Sequence, residues 1–281
     1  MKCPPFDYHR ATSVADAVDA LQAAGDEGKI LAGGQSLVPV LALRLARPAV
    51  LVDVNRIPGL AGLERRDGVL HAGALVRHLA LADQRQHPLA AEAARWIGHT
   101  AIRSRGTLAG SLAHADPAAE LPAVLRACDG AVQVAGPSGT RRLRADELFV
   151  GALQSALADT EMITGVELPV PDAWGFAEFA RRHGDFAVVS VAAARFGERV
   201  RIVVGGVAGV PHLVDAGDLA TVDGDVSDDR VTLLAAAAAD DVDPASDLHG
   251  SAGYRRALTE QMTLRALADL AGHLRPVREP A

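Results

Sequence analysis

The spacing of apolar residues along the first third of the chain predicts a small α/β unit. An amphipathic helix begins after Ser13, which forms a capping box with Asp16, and the helix ends at Gly25. A buried strand, a helix and a second buried strand are predicted next, at residues 28–34, 37–46 and 49–55. The loop after the first of these strands lies where open α/β sheets usually bind ligands.

The rest of the chain divides at Pro169 and Pro171, which mark the best domain boundary. Before it, we expect strands at 69–75 and 162–169, a strand pair within 130–148, and helices at 88–98 and 117–128. Beyond it, we expect strands at 175–182, 186–196 and 200–207, and helices at 228–239 and 251–274. Three strands followed by helices predict a small α+β second domain.

Composition limits the possible partners. The chain has 281 residues, of which 49% are hydrophobic, and this is typical of a folded protein with a substantial core. Its net charge of −7 argues against nonspecific binding of nucleic acid or of anionic lipid. A local basic patch is still compatible with this charge, because Arg44, Arg47, Arg103 and Arg105 lie near two glycine-bearing segments described below.

Cysteine and histidine usage excludes several metal sites. Cys3 and Cys128 are the two cysteines, so the chain has too few thiolates for structural zinc or for a cysteine-ligated iron–sulfur cluster. The ten histidines form no H-E-x-x-H motif. No apolar run has the length of a signal peptide or of a membrane span, so we expect a cytoplasmic protein without membrane insertion.

Two glycine-bearing segments are the strongest chemical signal, at residues 31–37 and 106–122. Glycines let backbone N–H groups approach a phosphate closely, so two such loops brought together would clamp a diphosphate. Neither segment matches a P-loop or a full dinucleotide-binding fingerprint. The alternative is an ordinary strand-to-helix turn that needs glycine only for its geometry. We therefore favour a nucleotide cofactor of another binding class.

Polar side chains in and after these segments allow more than one interpretation. Asp116 is either the cap of a helix with Pro117 in its first turn, or a partner of ribose hydroxyls. His114 as a metal ligand is disfavoured, because no partner has suitable spacing. The polar turn at residues 181–186 is either a solvated hairpin connection or a neighbour of the ligand.

Five segments in sequence resemble the FAD-binding medium subunit of molybdenum hydroxylases. This family includes the carbon monoxide dehydrogenase medium subunit and the FAD domain of xanthine dehydrogenase. The resemblance covers nearly the whole chain, and residues 103–124 are its most specific part. The segments are AGGQSL at 32–37, LRLARPAVLVDVN at 43–55, RSRGTLAGSLAHADPAAELPAV at 103–124, RRHGDFAVV at 181–189 and LHGSAGYRRAL at 248–258.

The resemblance implies an α+β fold with two domains. Residues 1–172 would form a PCMH-type FAD-binding domain with subdomains at about 1–56 and 57–172. Residues 173–281 would form a C-terminal domain, of the kind found in the carbon monoxide dehydrogenase flavoprotein, with a three-stranded antiparallel sheet and helices.

The resemblance also implies that FAD is held noncovalently, with its diphosphate between the glycine segments. The first loop would be Ile30, Leu31, Ala32, Gly33, Gly34, Gln35, Ser36 and Leu37. The second would be Thr107, Ala109, Gly110, Ser111 and His114, with Asp116 and Glu120 on polar groups of FAD. Ile97 and Ile163 would be apolar neighbours of the flavin, and Phe186 would lie beside its ring system.

Two positions depart from the family pattern. The family usually has two consecutive glycines where this chain has Ala109 and Gly110, so the second loop is expected to differ slightly. A lysine that is common near the flavin is replaced by Glu178. A carboxylate there would disfavour an anionic reduced flavin, so we expect no cofactor role for Glu178.

The resemblance implies an electron-transfer subunit of a heterotrimeric enzyme. A large molybdopterin-binding subunit would hydroxylate the substrate, and a small subunit with two 2Fe–2S clusters would pass electrons to FAD in this chain. FAD would pass them to an external acceptor, and two heterotrimers would form a heterohexamer. No side chain of this chain is then required as a catalytic acid or base. The alternatives are a stand-alone FAD-dependent oxidoreductase and a nucleotide-binding module without redox chemistry.

Overall fold

A parallel sheet of three strands begins the fold. A computed structural model of the chain describes residues 2–222, 224 and 226–274. The sheet has the order β1-β3-β2, and α1 is capped as predicted, because Ser13 Oγ accepts a hydrogen bond from the Asp16 N–H at 3.0 Å. The elements are β1 (Asp7–Arg10), α1 (Val14–Ala24), β2 (Gly28–Leu31), α2 (Leu37–Ala42) and β3 (Val50–Asp53).

An antiparallel sheet of five strands follows, in the order β4-β5-β10-β6-β7. Helices α3, α4, α6 and α7 bury apolar residues in one core with this sheet. The elements are β4 (Leu63–Arg66), β5 (Val69–Gly73), α3 (His78–Asp83), α4 (Pro88–Trp96), α5 (Thr100–Arg103), α6 (Leu108–His114), α7 (Glu120–Ala127), β6 (Ala131–Gly136), β7 (Gly139–Arg144), α8 (Ala145–Leu148), β8 (Phe149–Gly151), β9 (Gln154–Ser155) and β10 (Met162–Pro169).

The C-terminal part contains a second antiparallel sheet, covered by two helices. Its three long strands confirm the predicted three-stranded sheet, and a strand of two residues extends it. The elements are β11 (Ala173–Phe179), β12 (Val189–Phe196), β13 (Arg199–Gly205), β14 (His212–Leu213), α9 (Asp228–Asp241) and α10 (Ala252–Leu274).

The two faces of this sheet bury different neighbours. Alternate side chains such as Ala177, Val191 and Val204 pack against α9 and α10. The opposite face, with Phe176 and Ala192, joins the core that contains α4 and α7. The C-terminal sheet is therefore a middle layer, and any polar side chain on its second face lies between the two parts of the chain.

Several sequence predictions differ from the structure in extent. The predicted helix at 117–128 begins only at Glu120, and the predicted strand at 186–196 begins only at Val189. Several short elements have no sequence prediction, among them β1, β4, α3 and α5, each of four to six residues. Segments this short complete too few periods to leave a pattern. The predicted division at residue 172 falls between β10 and β11 and stays a prediction; Met1 and residues 275–281 lie outside the described residues.

Candidate functional site

The two glycine-bearing segments are in direct contact, although Gly33 and Gly110 are 77 residues apart in sequence (110 − 33 = 77). A Cβ atom at Gly33 would overlap the carbonyl oxygen of Arg105 and would lie 2.8 Å from Cα of Gly106. A Cβ at Gly110 would lie 3.9 Å from Cβ of Ala32. The segments therefore pack backbone to backbone, as the sequence predicted, and Gly33 is required for that close approach.

The second segment is a helix rather than an open loop. Thr107 caps α6, and its Oγ1 accepts a hydrogen bond from the Gly110 N–H at 3.2 Å. Ala115 ends α6 with φ at 52°, the left-handed conformation that closes many helices. Gly110, Ser111 and His114 are thus held on one short rigid element.

The interpretation of Asp116 and Pro117 as the start of the next helix is wrong. Asp116 Oδ1 accepts a hydrogen bond from the Ala118 N–H at 2.9 Å, which closes a tight turn one step before the helix. Ala119 then occupies the cap position of α7, and Glu120 is the first helical residue. An aspartate two residues before an N–H forms this turn as readily as a helix cap, so the sequence alone does not separate the two.

Ala109 fits the site without strain. It lies inside α6 and is 6% exposed, and its N–H donates to the carbonyl of Ala74 at 3.3 Å. Alanine is favoured over glycine in a helix, so the departure from two consecutive glycines does not distort this segment. The expectation of a slightly different loop came from treating the position as non-helical.

A polar network that sequence reasoning missed joins the two segments. Asn55 follows β3, and its Nδ2 donates to the carbonyl oxygens of Leu31 at 3.2 Å and Ala32 at 2.8 Å. Arg77 Nη2 donates to Asn55 Oδ1 at 2.7 Å, and Arg77 Nη1 donates to the carbonyl oxygen of Arg105. One arginine thus connects both sides of the contact. Arg77 lies in no motif, and Asn55 was visible only as the last residue of the predicted strand and of the family segment at 43–55.

His78 packs against the start of the second segment. Its Nε2 lies 2.9 Å from the carbonyl oxygen of Thr107, and its ring fills the space beside Gly106. Burial lowers the pKa of His78 to about 4, so the ring is neutral at physiological pH. A neutral ring adds no positive charge under the segment, so we assign His78 a packing role.

A large open cleft, of about 1140 Å³, extends from the second segment to the C-terminal sheet. Phe186 stands in its wall and is 63% exposed, which is high for an aromatic side chain. Asp116 also lines the cleft. The turn at 181–186 therefore borders the same cleft as the second segment, and further lining residues are Arg181, Val188, Gly206, Asp247 and Arg255.

Two buried carboxyl groups lie on α7 and β11. Glu120 is 5% exposed and Glu178 is 7% exposed, and neither forms an ion pair within the described part of the chain. Burial raises the pKa of both groups, and the charge of Glu120 raises the pKa of Glu178 further. Glu120 and Glu178 therefore form a buried acidic pair.

The remaining predicted site residues divide into two groups. Ile30 and Leu31 end β2, Ala32 to Ser36 form the turn, and Leu37 begins α2, so the first segment is continuous around the contact. Ile97 ends α4 and is half-buried. Ile163, in contrast, is 5% exposed and packs in the core of the five-stranded sheet.

Comparison with known protein families identifies this arrangement. Residues 4–171 match the FAD binding domain in molybdopterin dehydrogenase, and residues 174–270 match the CO dehydrogenase flavoprotein C-terminal domain. The chain belongs to the FAD-binding medium subunits of molybdenum hydroxylases. It is therefore a subunit of an oxidoreductase, and its cofactor is FAD.

Relatives of this medium subunit match it over almost its whole length. The 6-hydroxypseudooxynicotine dehydrogenase complex subunit alpha of Paenarthrobacter nicotinovorans is 41% identical and covers 99% of each chain. The nicotine 6-hydroxylase medium subunit of the same organism is 41% identical over 96% of this chain and 98% of its own.

Solved structures of such enzymes share the fold. A chain of carbon monoxide dehydrogenase from Hydrogenophaga pseudoflava superposes with a TM-score of 0.92 and 33% identity, over 98% of this chain and 100% of that chain. A chain of quinoline 2-oxidoreductase from Pseudomonas putida 86 gives the same values. The medium subunit therefore has the established fold of these proteins.

The residues present in this medium subunit fit FAD. The contact at Gly33 leaves no room for a Cβ atom, so the backbone of the turn at 32–36 lies directly against residues 105–106, and we call this contact the glycine cradle. Two buried polar atoms without a partner, Glu178 Oε2 and Ser190 Oγ, lie on neighbouring strands of the C-terminal sheet. A cofactor with an anionic diphosphate and a polar ring system can form hydrogen bonds with backbone groups at the first and with polar side chains at the second.

Proposed function

We propose that this chain is the electron-transfer subunit of a heterotrimeric molybdenum hydroxylase. It takes electrons from 2Fe–2S clusters in a small subunit and passes them, on its FAD, to an external acceptor. A large molybdopterin-binding subunit hydroxylates the substrate, and two heterotrimers form a heterohexamer. The observation that carries this proposal is the backbone contact between the two glycine-bearing segments.

The two segments hold the diphosphate of FAD in this proposal. The first contributes the turn at 32–36, and the second contributes Thr107 and α6 up to His114. Backbone N–H groups stabilise phosphate oxygens without a counter-ion. The bridge from Arg77 to Asn55 keeps the segments at a fixed separation, so the cradle does not have to form when FAD binds.

The C-terminal sheet and the turn at 181–186 enclose the flavin end. Phe186 offers an exposed aromatic ring in the cleft, and Asp116 offers a polar group in the same lining. FAD supplies the redox chemistry when it is bound. This chain binds and orients the cofactor, limits its contact with water and sets the charge around it.

The need for partner subunits follows from the cluster ligands that this chain lacks. Its two cysteines cannot ligate an iron–sulfur cluster, which needs four ligands, so the clusters belong to another chain. The names "subunit alpha" and "medium chain" of its relatives support a multi-subunit enzyme. We also propose that domains 1–172 and 173–281 share the work of binding the two ends of FAD.

The cellular compartment of the subunit is a separate part of the proposal. Cys3 and Cys128 are both free thiols, which is typical of a reducing compartment. Among the helices of residues 2–222, 224 and 226–274, none is both long and apolar enough to cross a membrane. We therefore propose that the subunit works in the cytoplasm.

Purification of the full-length chain, alone and with its partner subunits, tests this function. The chain alone should carry FAD, with a flavin absorption spectrum, and should not turn over an N-heterocyclic or aldehyde substrate. Coexpression with the large and small subunits should restore turnover with an artificial acceptor. Substrate turnover by the chain alone would favour a stand-alone FAD-dependent oxidoreductase. A chain that takes up no FAD would contradict both.

A further inference from the structure

Arg255 on α10 is a buried arginine that lines the large cleft. It is 6% exposed and belongs to the segment at 248–258, the last of the five segments that resemble the family. Its Nη1 donates to the carbonyl oxygens of Val188 at 2.7 Å and Gly206 at 2.6 Å, and its Nη2 donates to Asp247 Oδ2 at 2.7 Å. All three acceptor residues also line the cleft, so one side chain connects three parts of its wall.

These three parts of the wall come from different elements. Val188 ends the connection between β11 and β12, which contains the turn at 181–186, and Gly206 follows β13. Asp247 lies in the loop between α9 and α10. A Cβ at Gly206 would lie 2.5 Å from the carbonyl oxygen of Val188, and Gly206 has φ at 82°. The first two parts are therefore packed backbone to backbone, and their carbonyl oxygens share one donor on Arg255.

Asp247 holds this arginine in place. Its Oδ1 accepts hydrogen bonds from the N–H groups of His249 at 2.8 Å and Gly250 at 3.1 Å, so the carboxylate closes its own loop while its Oδ2 binds Arg255. The hydrogen bond from Arg255 lowers the pKa of Asp247 to about 2, so the pair is ionised at physiological pH. A buried guanidinium needs a paired negative charge, and Asp247 supplies it.

Two further contacts extend this network. Arg181 Nη2 donates to two carbonyl oxygens of the Asp247 loop, at 3.1 and 3.4 Å, which ties the connection between β11 and β12 to that loop. The Gly206 N–H donates to the carbonyl oxygen of Pro117 at 2.8 Å. Gly206 therefore joins Arg255 to the turn before α7, within the FAD binding domain.

We propose that Arg255 is a positioning residue that holds the wall of the cleft in place for the flavin end of FAD. This inference rests on the proposed function, because it takes FAD to be the ligand of the cleft. Arg255 acts through the connection between β11 and β12 and through Gly206, and it requires no contact of its own with FAD. Asp247 is a second positioning residue, because it pairs with the charge of Arg255.

The physical reason is preorganisation. Loops that are fixed before a ligand binds lose less conformational entropy when it binds. Arginine suits this position, since its planar guanidinium offers several N–H donors in a fixed geometry, whereas a lysine ammonium is a compact charge on a flexible stem. Hydrogen bonds to three separate parts of the chain therefore need an arginine, and lysine should not replace it.

Hydrogen exchange of the FAD-free full-length chain tests the positioning role without the cofactor. The N–H groups of Val188 and Gly206 donate to the carbonyls of Phe179 and Pro117, so their exchange reports opening of the wall. In Arg255→Ala both should exchange roughly tenfold faster than in the unaltered chain, because charged hydrogen bonds no longer hold the two segments. Exchange in α6 should not change. Unchanged exchange at both reporters would overturn the proposal.

Arg265→Ala is the matched control for this measurement. It removes an exposed arginine from the same helix, and Arg265 does not line the cleft. Exchange at both reporters and the affinity for FAD should equal those of the unaltered chain. Faster exchange at the reporters in this variant as well would show that any loss from α10 loosens the wall, and it would overturn the specific role of Arg255.

Comparison of FAD with ADP, which lacks the flavin, tests which end of the cofactor depends on Arg255. Arg255→Ala should bind FAD roughly tenfold more weakly, while its affinity for ADP should change less than about twofold. Arg255→Lys should resemble Arg255→Ala. Asp247→Asn keeps the arginine but removes its counter-charge, so it should lose FAD affinity in the same direction and to a smaller extent.

The outcomes separate this proposal from the proposed function. Equal losses of FAD and ADP affinity in Arg255→Ala would indicate general destabilisation and would overturn the positioning role, as would an unchanged FAD affinity. Should Arg255→Ala fail to fold, an unaltered FAD affinity in Asp247→Asn would overturn it instead. If the unaltered chain takes up no FAD while Arg255→Ala speeds exchange at the reporters, the proposed function fails and the role of Arg255 in the wall stands.

Discussion

The glycine cradle, where Gly33 packs on residues 105–110, and the pair of Glu120 and Glu178 each involve residues that are distant in sequence. The two regions use different chemical groups. The cradle uses neutral backbone groups, and its hydrogen bonds through Asn55 and Arg77 are satisfied within the chain. The carboxyl pair uses ionisable side chains, and Glu178 Oε2 is left without a partner. The geometry of the cradle therefore depends on close packing, whereas the charge of the pair depends on protonation. Changes in the first should act at every pH, and changes in the second should depend on pH.

The largest expected effect is that of Gly33→Val. Its Cβ would overlap the Arg105 carbonyl, and the segments would have to separate. Overpacking of this kind costs up to about 3 kcal/mol, which corresponds to roughly 100-fold weaker FAD binding. FAD content and affinity of the purified chain measure it. Gly62→Val is the control, since no atom lies within 4 Å of its added Cβ, and it should keep FAD.

Arg77→Ala should have the next largest effect. It removes charged hydrogen bonds to Asn55, which holds the first segment, and to the Arg105 carbonyl next to the second segment. Such bonds contribute about 1.5–3 kcal/mol, so FAD binding should weaken roughly 10–100-fold. The loss should be equal at about pH 6 and about pH 9, because no group in this network titrates there. Arg66→Ala removes an exposed arginine that pairs with Glu64 and should change nothing. If the loss of FAD affinity in Arg77→Ala depended on pH, the cradle and the carboxyl pair would not differ in the expected way.

The carboxyl pair should make folding stability depend on pH. Its folded-state pKa values are raised, so above the ordinary glutamate pKa of about 4.5 the folded state holds more protons than the unfolded state. Stability should therefore fall as pH rises from about 5 to about 9. Glu178→Gln should recover about 1–3 kcal/mol at the upper end, measured as a higher melting temperature. If Glu178→Gln left the slope of stability against pH unchanged, this would show that the pair ionises normally.

Ala109→Gly should have the smallest effect. It restores two consecutive glycines, but the position is helical, so the change should cost about 0.5–1 kcal/mol of stability. FAD affinity should change less than twofold, because the backbone of α6 is already in place. Tighter FAD binding in this variant would mean that the methyl group obstructs the cradle, as the departure from the family pattern first suggested.

Prediction from sequence succeeded best where the pattern is local. The cap at Ser13, the paired strands around residues 136–139 and the long helix after residue 251 each depend on neighbours in sequence, and the structure confirms them. The cap at Asp116 failed because two local hydrogen-bond patterns compete for the same residue. Short elements such as α5 failed because four residues carry no period.

The functional parts show the same division. Glycines next to small polar residues indicated the cradle, since close backbone approach requires glycine and leaves that requirement visible in the sequence. Arginines and asparagines have many uses, so Arg77 and Asn55 were not distinguished from surface residues. Glu178 was visible as a departure from a family pattern, and the expectation that it has no cofactor role stays a prediction; its burial beside Glu120 was not visible in the sequence.

The sequence by itself determined the fold class, the FAD family and the two segments that meet at Gly33, because each leaves a local or motif-level trace. Only the tertiary structure decided that α6 is a helix at the cradle, that Arg77 bridges both segments, and that Glu120 and Glu178 share one buried site. The reason is that the protonation of a carboxyl group depends on its burial and on its neighbours in space. Those neighbours come from α7 and β11, 58 residues apart in sequence (178 − 120 = 58).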